Sequence, residues 1–133
     1  MRISFAAIFL SFAMLPMAEI PCLGLSAAAQ APEYTATVTG LCPGRMTLEW
    51  SGARPNRRQA ILLSLHRGQW TIPGGACQGT VLGLGEYVWL MAIVRTRDGN
   101  GLVRIVTGSG LCGGFVQLVE SGTCRTSNVA RVP

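Results

Sequence analysis

The chain has 133 residues, of which 49% are hydrophobic and 13% charged. All 11 of its Lys+Arg residues are arginine, and the formal net charge is +5. That length holds one small domain, and the lack of lysine excludes a Walker-type phosphate loop, which depends on that ammonium group.

Met1-Arg2 gives a positive start, and residues 3–15 (ISFAAIFLSFAML) are an unbroken run of apolar and small side chains. Pro16 ends the run, and residues 26–31 (SAAAQA) supply small side chains at a signal-peptidase spacing. This order reads as a secretory signal peptide, cleaved after Ala29, because a cut after Ala31 leaves Pro32 first. The run is shorter than the roughly 20 apolar residues of a membrane span. Cys22 belongs to the removed part, since Glu19-Ile20-Pro21 lacks the small apolar residues of a lipoprotein site. The expected division is a signal peptide over 1–29 and a single domain over 30–133. The product is secreted or periplasmic, with no membrane span after cleavage. Cleavage removes Arg2 and Glu19 together, so the net charge stays at +5.

After Pro32 the apolar residues recur with period two. Tyr34, Ala36 and Val38 alternate with threonines, and Met46, Leu48 and Trp50 alternate with Thr47, Glu49 and Ser51. Both stretches read as strands with one wet face. Residues 51–56 (SGARPN) form a turn-rich break. Ile61, Leu63 and Leu65 resume the alternation, and Arg67-Gly68 turns the chain into residues 69–72 (QWTI). Residues 87–94 (YVWLMAIV) are apolar on both faces. They read as a central strand, which puts Trp89 in the core with Trp50.

Asp98-Gly99-Asn100-Gly101 is expected to close a tight hairpin onto residues 102–107. Residues 115–119 and a last strand over about 125–132 complete eight short strands, and no segment carries a helical stripe. The expected fold is all-β: an immunoglobulin-like, two-sheet antiparallel β-sandwich of about 7–8 strands.

Cys42, Cys77, Cys112 and Cys124 remain in the mature chain, an even number in an exported protein, and predict two disulfides. If successive strands run antiparallel, their loops alternate between the two ends of the sandwich. On an eight-strand count Cys42 shares one end with Cys124, and Cys77 shares the other with Cys112. The expected bridges are therefore Cys42–Cys124 and Cys77–Cys112.

The stretch GGACQGT, residues 74–80, combines glycines, a cysteine and a hydroxyl. It lacks the lysine of a phosphate loop and a following helix whose N-terminus would hold an anion. Cys77 as a nucleophile needs a base. The single histidine, His66, sits at a predicted turn with no marked acidic partner. The cysteines form no close pair of the kind that structural zinc takes. Glu33, Glu49, Glu86, Asp98 and Glu120 are scattered singly, with no pair placed for acid–base work. No catalytic residue, metal or cofactor is expected, and the chain is read as not an enzyme.

Trp70, between Gly68-Gln69 and a Pro-Gly-Gly turn, is a candidate platform for a glycan or protein partner, although packing beneath the loop is the commoner fate of such a ring. Arg54, Arg57 and Arg58 make the local basic patch. No aromatics interleave with it, so nucleic acid is not an expected partner.

Cys42-Pro43-Gly44, Trp50-Ser51-Gly52-Ala53, Trp70-Thr71-Ile72-Pro73-Gly74-Gly75 and Cys77-Gln78-Gly79-Thr80 follow one another in a recognisable order. Cys112-Gly113, Gln117-Leu118-Val119 and residues 123–129 (TCRTSNV) continue it. Across nearly all of the mature chain this order resembles an uncharacterised family of small bacterial secreted β-sandwich modules. The resemblance implies the fold and the disulfides and supplies no activity. The expected role is an exported, non-enzymatic binding or structural module of the cell envelope, with an unknown protein or glycan partner. The alternative is a small secreted inhibitor that blocks an acidic partner through its arginine-bearing loop.

Overall fold

The computed structural model describes residues 33–133, so the expected signal peptide lies outside the described residues. Nine strands follow in chain order. They are β1 (Thr35–Gly40), β2 (Gly44–Ser51), β3 (Arg58–Ser64), β4 (Arg67–Thr71), β5 (Val81–Leu84), β6 (Trp89–Arg95), β7 (Gly101–Thr107), β8 (Phe115–Glu120) and β9 (Ala130–Arg131). One sheet has the order β1-β2-β7, a second β6-β3-β8-β9, and β4 pairs with β5 as a separate hairpin. Every pairing is antiparallel. The fold is an all-β sandwich, as the alternating pattern predicts.

The alternation decides what is buried. Met46, Leu48 and Trp50 of β2 face Ile61 and Leu63 of β3 and Val116 and Leu118 of β8, and these residues form the main core. The Trp50 ring lies over Gly101, its partner on β7, where an added Cβ would stand 2.0 Å from Cζ2. A smaller cluster lies outside the second sheet. There Leu82 and Leu84 of β5 pack with Val119, Leu62, Trp70, Phe115 and Val129. The β4–β5 hairpin is thus a third layer over part of the second sheet.

One side of the sandwich is closed. The Asn128 amide accepts from Ala36 N–H at 2.7 Å and donates to Ala36 C=O at 3.0 Å, clamping β1 to the segment before β9. On the other side β7 and β6 both end their sheets.

Four expectations need correction. Residues 87–94 do not form a central strand: β6 pairs only with β3 and is an edge. Trp89 is accordingly 38% exposed rather than core. Two-sided apolarity marks a strand with both faces covered, but here one of the apolar faces lines an open groove. The Asp98–Gly101 turn does not close a hairpin, because β6 and β7 belong to different sheets. It is an arch stitched to the β2–β3 loop by Ala53 N–H to Gly99 C=O at 3.2 Å and Gly52 N–H to Asn100 Oδ1 at 3.3 Å. The last strand is short: only Ala130–Arg131 and a bridge at Thr126 pair with β8.

The fourth correction concerns the bridges, which join Cys42 to Cys112 and Cys77 to Cys124, each with Cα atoms 5.4 Å apart. The four cysteines are the expected ones, and the pairing is not. The missed strand is β5, and one extra strand moves every later loop to the opposite end. Loop alternation with nine strands puts Cys42 with Cys112 and Cys77 with Cys124.

At the end of the sandwich that holds Cys77, a buried polar group closes the core. Tyr34 donates its hydroxyl to Gln59 Oε1, and both residues are buried. Burial first, and then the Glu120 carboxylate, push the Tyr34 phenol well above its ordinary value of about 10, against a smaller opposing pull from Arg125. The unfolded chain releases this proton above pH of about 10 while the folded chain keeps it. Stability is therefore intact below that pH and falls by roughly 1.4 kcal/mol per pH unit above it. With no lysine and 2 tyrosines in the chain, that window is nearly free of other titrations. Urea midpoints between pH 9 and 11 should show this slope in the wild type and a flatter one in Tyr34→Phe.

Candidate functional site

Strand alternation sends Gln59, Ile61 and Leu63 of β3 inward and leaves Arg58, Ala60 and Leu62 on the outer face. On that face Ala60 stands opposite Ile93 of β6 and Val119 of β8, and Leu62 opposite Leu90 and Gln117. The β4–β5 hairpin packs on the β8 half, with Gly83 N–H bonded to Gln117 Oε1 at 2.9 Å. On the β6 half it leaves Leu90 53% and Ile93 57% exposed. Between hairpin and edge strand runs an open groove of about 550 Å³. Its floor is Ala60, Leu62 and Val119, one bank is Leu90 and Ile93, and the other is Trp70, Ile72 and residues 74–77.

The GGACQGT stretch is the outer part of that second bank. Gly75 and Gly79 adopt φ of +85° and +88°, which lets the loop double back in a way other residues resist. Gly79 N–H bonds Ile72 C=O at 3.0 Å, and Thr80 N–H bonds Cys77 C=O at 3.1 Å. The Cys77–Cys124 bridge then ties the bank to the loop that follows β8. Cys77 offers no thiolate while that bridge is closed.

His66 lies at the opposite end of β4, 44% of whose neighbouring Leu65 is exposed in the same turn. His66 shares a shallow recess with Arg67, Glu86 and Trp70, a carboxylate neighbour that the sequence did not mark. Among the described residues no side-chain hydrogen bond joins His66 to Glu86. Nor, among them, do three or more His, Cys, Asp or Glu side chains gather as a metal site.

The arginines separate into different roles. Arg54 uses its backbone N–H to bind the Glu120 carboxylate. Arg57 lays its guanidinium beside Gly122, where an added Cβ would stand 2.8 Å from Nη1. Arg58 alone of the three continues the outer face of β3, one step of the alternation beyond Ala60. Directly across the ladder from it is Arg95. Both are exposed, and among the described residues neither has a carboxylate partner.

The structure thus places Trp70 in the groove lining and Arg58 one alternation step beyond its floor residue Ala60, while Arg54 and Arg57 stay in the loop before β3. Sequence reasoning missed Leu90, Ile93 and Arg95, whose only signal was the apolar run ending in an arginine. No protein-family model matches this chain and no curated protein matches it, so the groove is read from its own chemistry.

Proposed function

We propose that the chain is an exported, non-enzymatic binding module of the cell envelope and that its working surface is the groove between β6 and the β4–β5 hairpin. The observation that carries this reading is the exposure of Leu90 and Ile93 beside a preformed apolar floor. Clustered apolar exposure rimmed by charge is how binding surfaces differ from ordinary surface. The two disulfides fit an oxidising compartment. Among the described residues no helix is long and apolar enough to cross a membrane. An N-terminal signal peptide over 1–29, as the sequence is read, would carry the chain to that oxidising compartment.

The test uses the fluorescent apolar anion ANS and the variant Ile93→Asp. Loss of one fully buried Ile contact is worth about 1.5–3 kcal/mol, which weakens ANS binding roughly ten- to a hundredfold. Because Ile93 is exposed, the melting temperature should stay near that of the wild type. Unchanged ANS binding would remove the groove from consideration. The inhibitor reading predicts instead that Arg54→Glu with Arg57→Glu abolishes capture of an acidic partner, a change that leaves groove binding intact.

A further inference from the structure

We infer that the groove takes a free fatty acid, its hydrocarbon chain along the floor and its carboxylate on Arg58 and Arg95. This rests on the groove being a binding site and adds the chemical class of its occupant.

The lining selects hydrocarbon over peptide. Apart from the indole N–H of Trp70, Ser121 carries the one polar side chain among the lining residues, at the end where its N–H bonds Arg58 C=O at 2.9 Å. The floor strands are both internal: β3 lies between β6 and β8, and β8 between β3 and β9. Their backbone groups are committed to the ladders, so the floor has none to offer. The free edge of β6 points sideways in the plane of its sheet, because ladder hydrogen bonds lie in that plane. A peptide laid along the floor would find no backbone partner there for its own N–H and C=O groups, which makes the floor a poorer match for peptide than for hydrocarbon. A methylene chain carries no such groups.

The charge at one end selects an anionic head. Like charges directly opposite on a ladder repel, and Arg58 and Arg95 hold that position without a carboxylate among the described residues. An anion between them turns the repulsion into two charge-assisted contacts, and the planar guanidinium matches a carboxylate in bidentate fashion. From Arg58 to Leu62 the strand rises about 13 Å at roughly 3.3 Å per residue. A volume of about 550 Å³ lies within the range of small-molecule sites.

The experiment is displacement of ANS from the disulfide-bonded protein by dodecanoate, decanoate and dodecan-1-ol, each below its aggregation concentration. Dodecanoate should displace ANS at one molecule per chain. Decanoate should be weaker by roughly fifteenfold, at about fourfold per methylene. Arg95→Ala should weaken dodecanoate about tenfold and leave dodecan-1-ol unchanged. Because this variant relieves the Arg58–Arg95 repulsion, its thermal stability should hold, which separates lost binding from lost fold. Equal affinity for acid and alcohol, or indifference to Arg95→Ala, overturns the inference. So does displacement of ANS by an apolar peptide with a free C-terminus but not by dodecanoate. In those cases ANS binding that is sensitive to Ile93→Asp still supports the groove. Failure of ANS itself to bind overturns both readings.

Discussion

Replacing Cys77 and Cys124 together by serine should lower the unfolding free energy by about 4 kcal/mol and abolish groove binding even in molecules that remain folded. The bridge closes a loop with a sequence separation of 47 residues, and the entropy returned to the unfolded chain on opening a loop of that size corresponds to about that energy. Small domains hold only about 5–15 kcal/mol in total, so the loss should be plain in a urea melt. Cys42→Ser with Cys112→Ser is the matched control. Its separation of 70 gives nearly the same entropic loss, since the dependence is logarithmic. That bridge lies at the other end of the sandwich and touches neither bank of the groove. Both double variants should therefore melt early, but only the Cys77 and Cys124 pair should lose ANS and dodecanoate. Equal loss of binding in the two would mean that stability, not the tethered bank, governs the site.

The pairing of those cysteines also measures what the sequence can carry. Period-two alternation located most strands because it records a local fact, which face of a residue meets the core. Strand β5 escaped it because Gly83 interrupts a four-residue stretch. The glycine is required by something distant: an added Cβ there would stand 2.6 Å from Val129 Cγ2. One missing strand inverted the ends and with them the disulfides. Residues 87–94 failed differently, since apolarity on two faces is the same signal whether the second face meets another layer or an open groove. Trp70 and Arg58 were legible as unusual residues in turn-rich sequence. That Arg58 stands opposite Arg95, and Ala60 opposite Ile93, depends on cross-strand register, which no local pattern holds.

The floor of the groove is fixed by residues that never line it. Gln117 accepts from Gly83 N–H at 2.9 Å and donates to Ser127 C=O at 2.8 Å, so one buried amide joins the hairpin, β8 and the segment before β9. Ser127 in turn donates to Asn128 C=O at 2.8 Å, beside the clamp that Asn128 places on β1. Position of the hairpin, and hence width of the groove, follows from this chain of bonds rather than from the apolar contacts alone. Hydrophobic burial is non-directional, whereas these bonds set one register.

Glu120→Ala should be the most damaging single substitution away from the cysteines. Glu120 is 0% exposed, and its two carboxylate oxygens accept from Arg54 N–H and the Thr123 hydroxyl. Its own N–H and C=O bond Arg125 C=O and Cys124 N–H, each at 2.9 Å. The residue therefore holds the arginine loop, the end of β8 and the Cys124 turn in one place. Alanine removes two part-buried hydrogen bonds to a charged acceptor, at about 1.5–3 kcal/mol each, for a loss of roughly 4 kcal/mol. Glu120→Gln keeps one carbonyl acceptor for Arg54 N–H, and the Thr123 hydroxyl can rotate to accept from the new amide, so a loss of about 1–2 kcal/mol is expected. Urea melts of the two variants give the ratio. Dodecanoate titrations of Glu120→Gln add a second readout, because Ser121 N–H holds Arg58 C=O and a shifted β8 end displaces Arg58 from Arg95. Affinity for dodecanoate should then fall while that for dodecan-1-ol holds. Equal stability of Glu120→Ala and wild type would mean that water satisfies the two donors, and that the arginine loop is not held by this carboxylate.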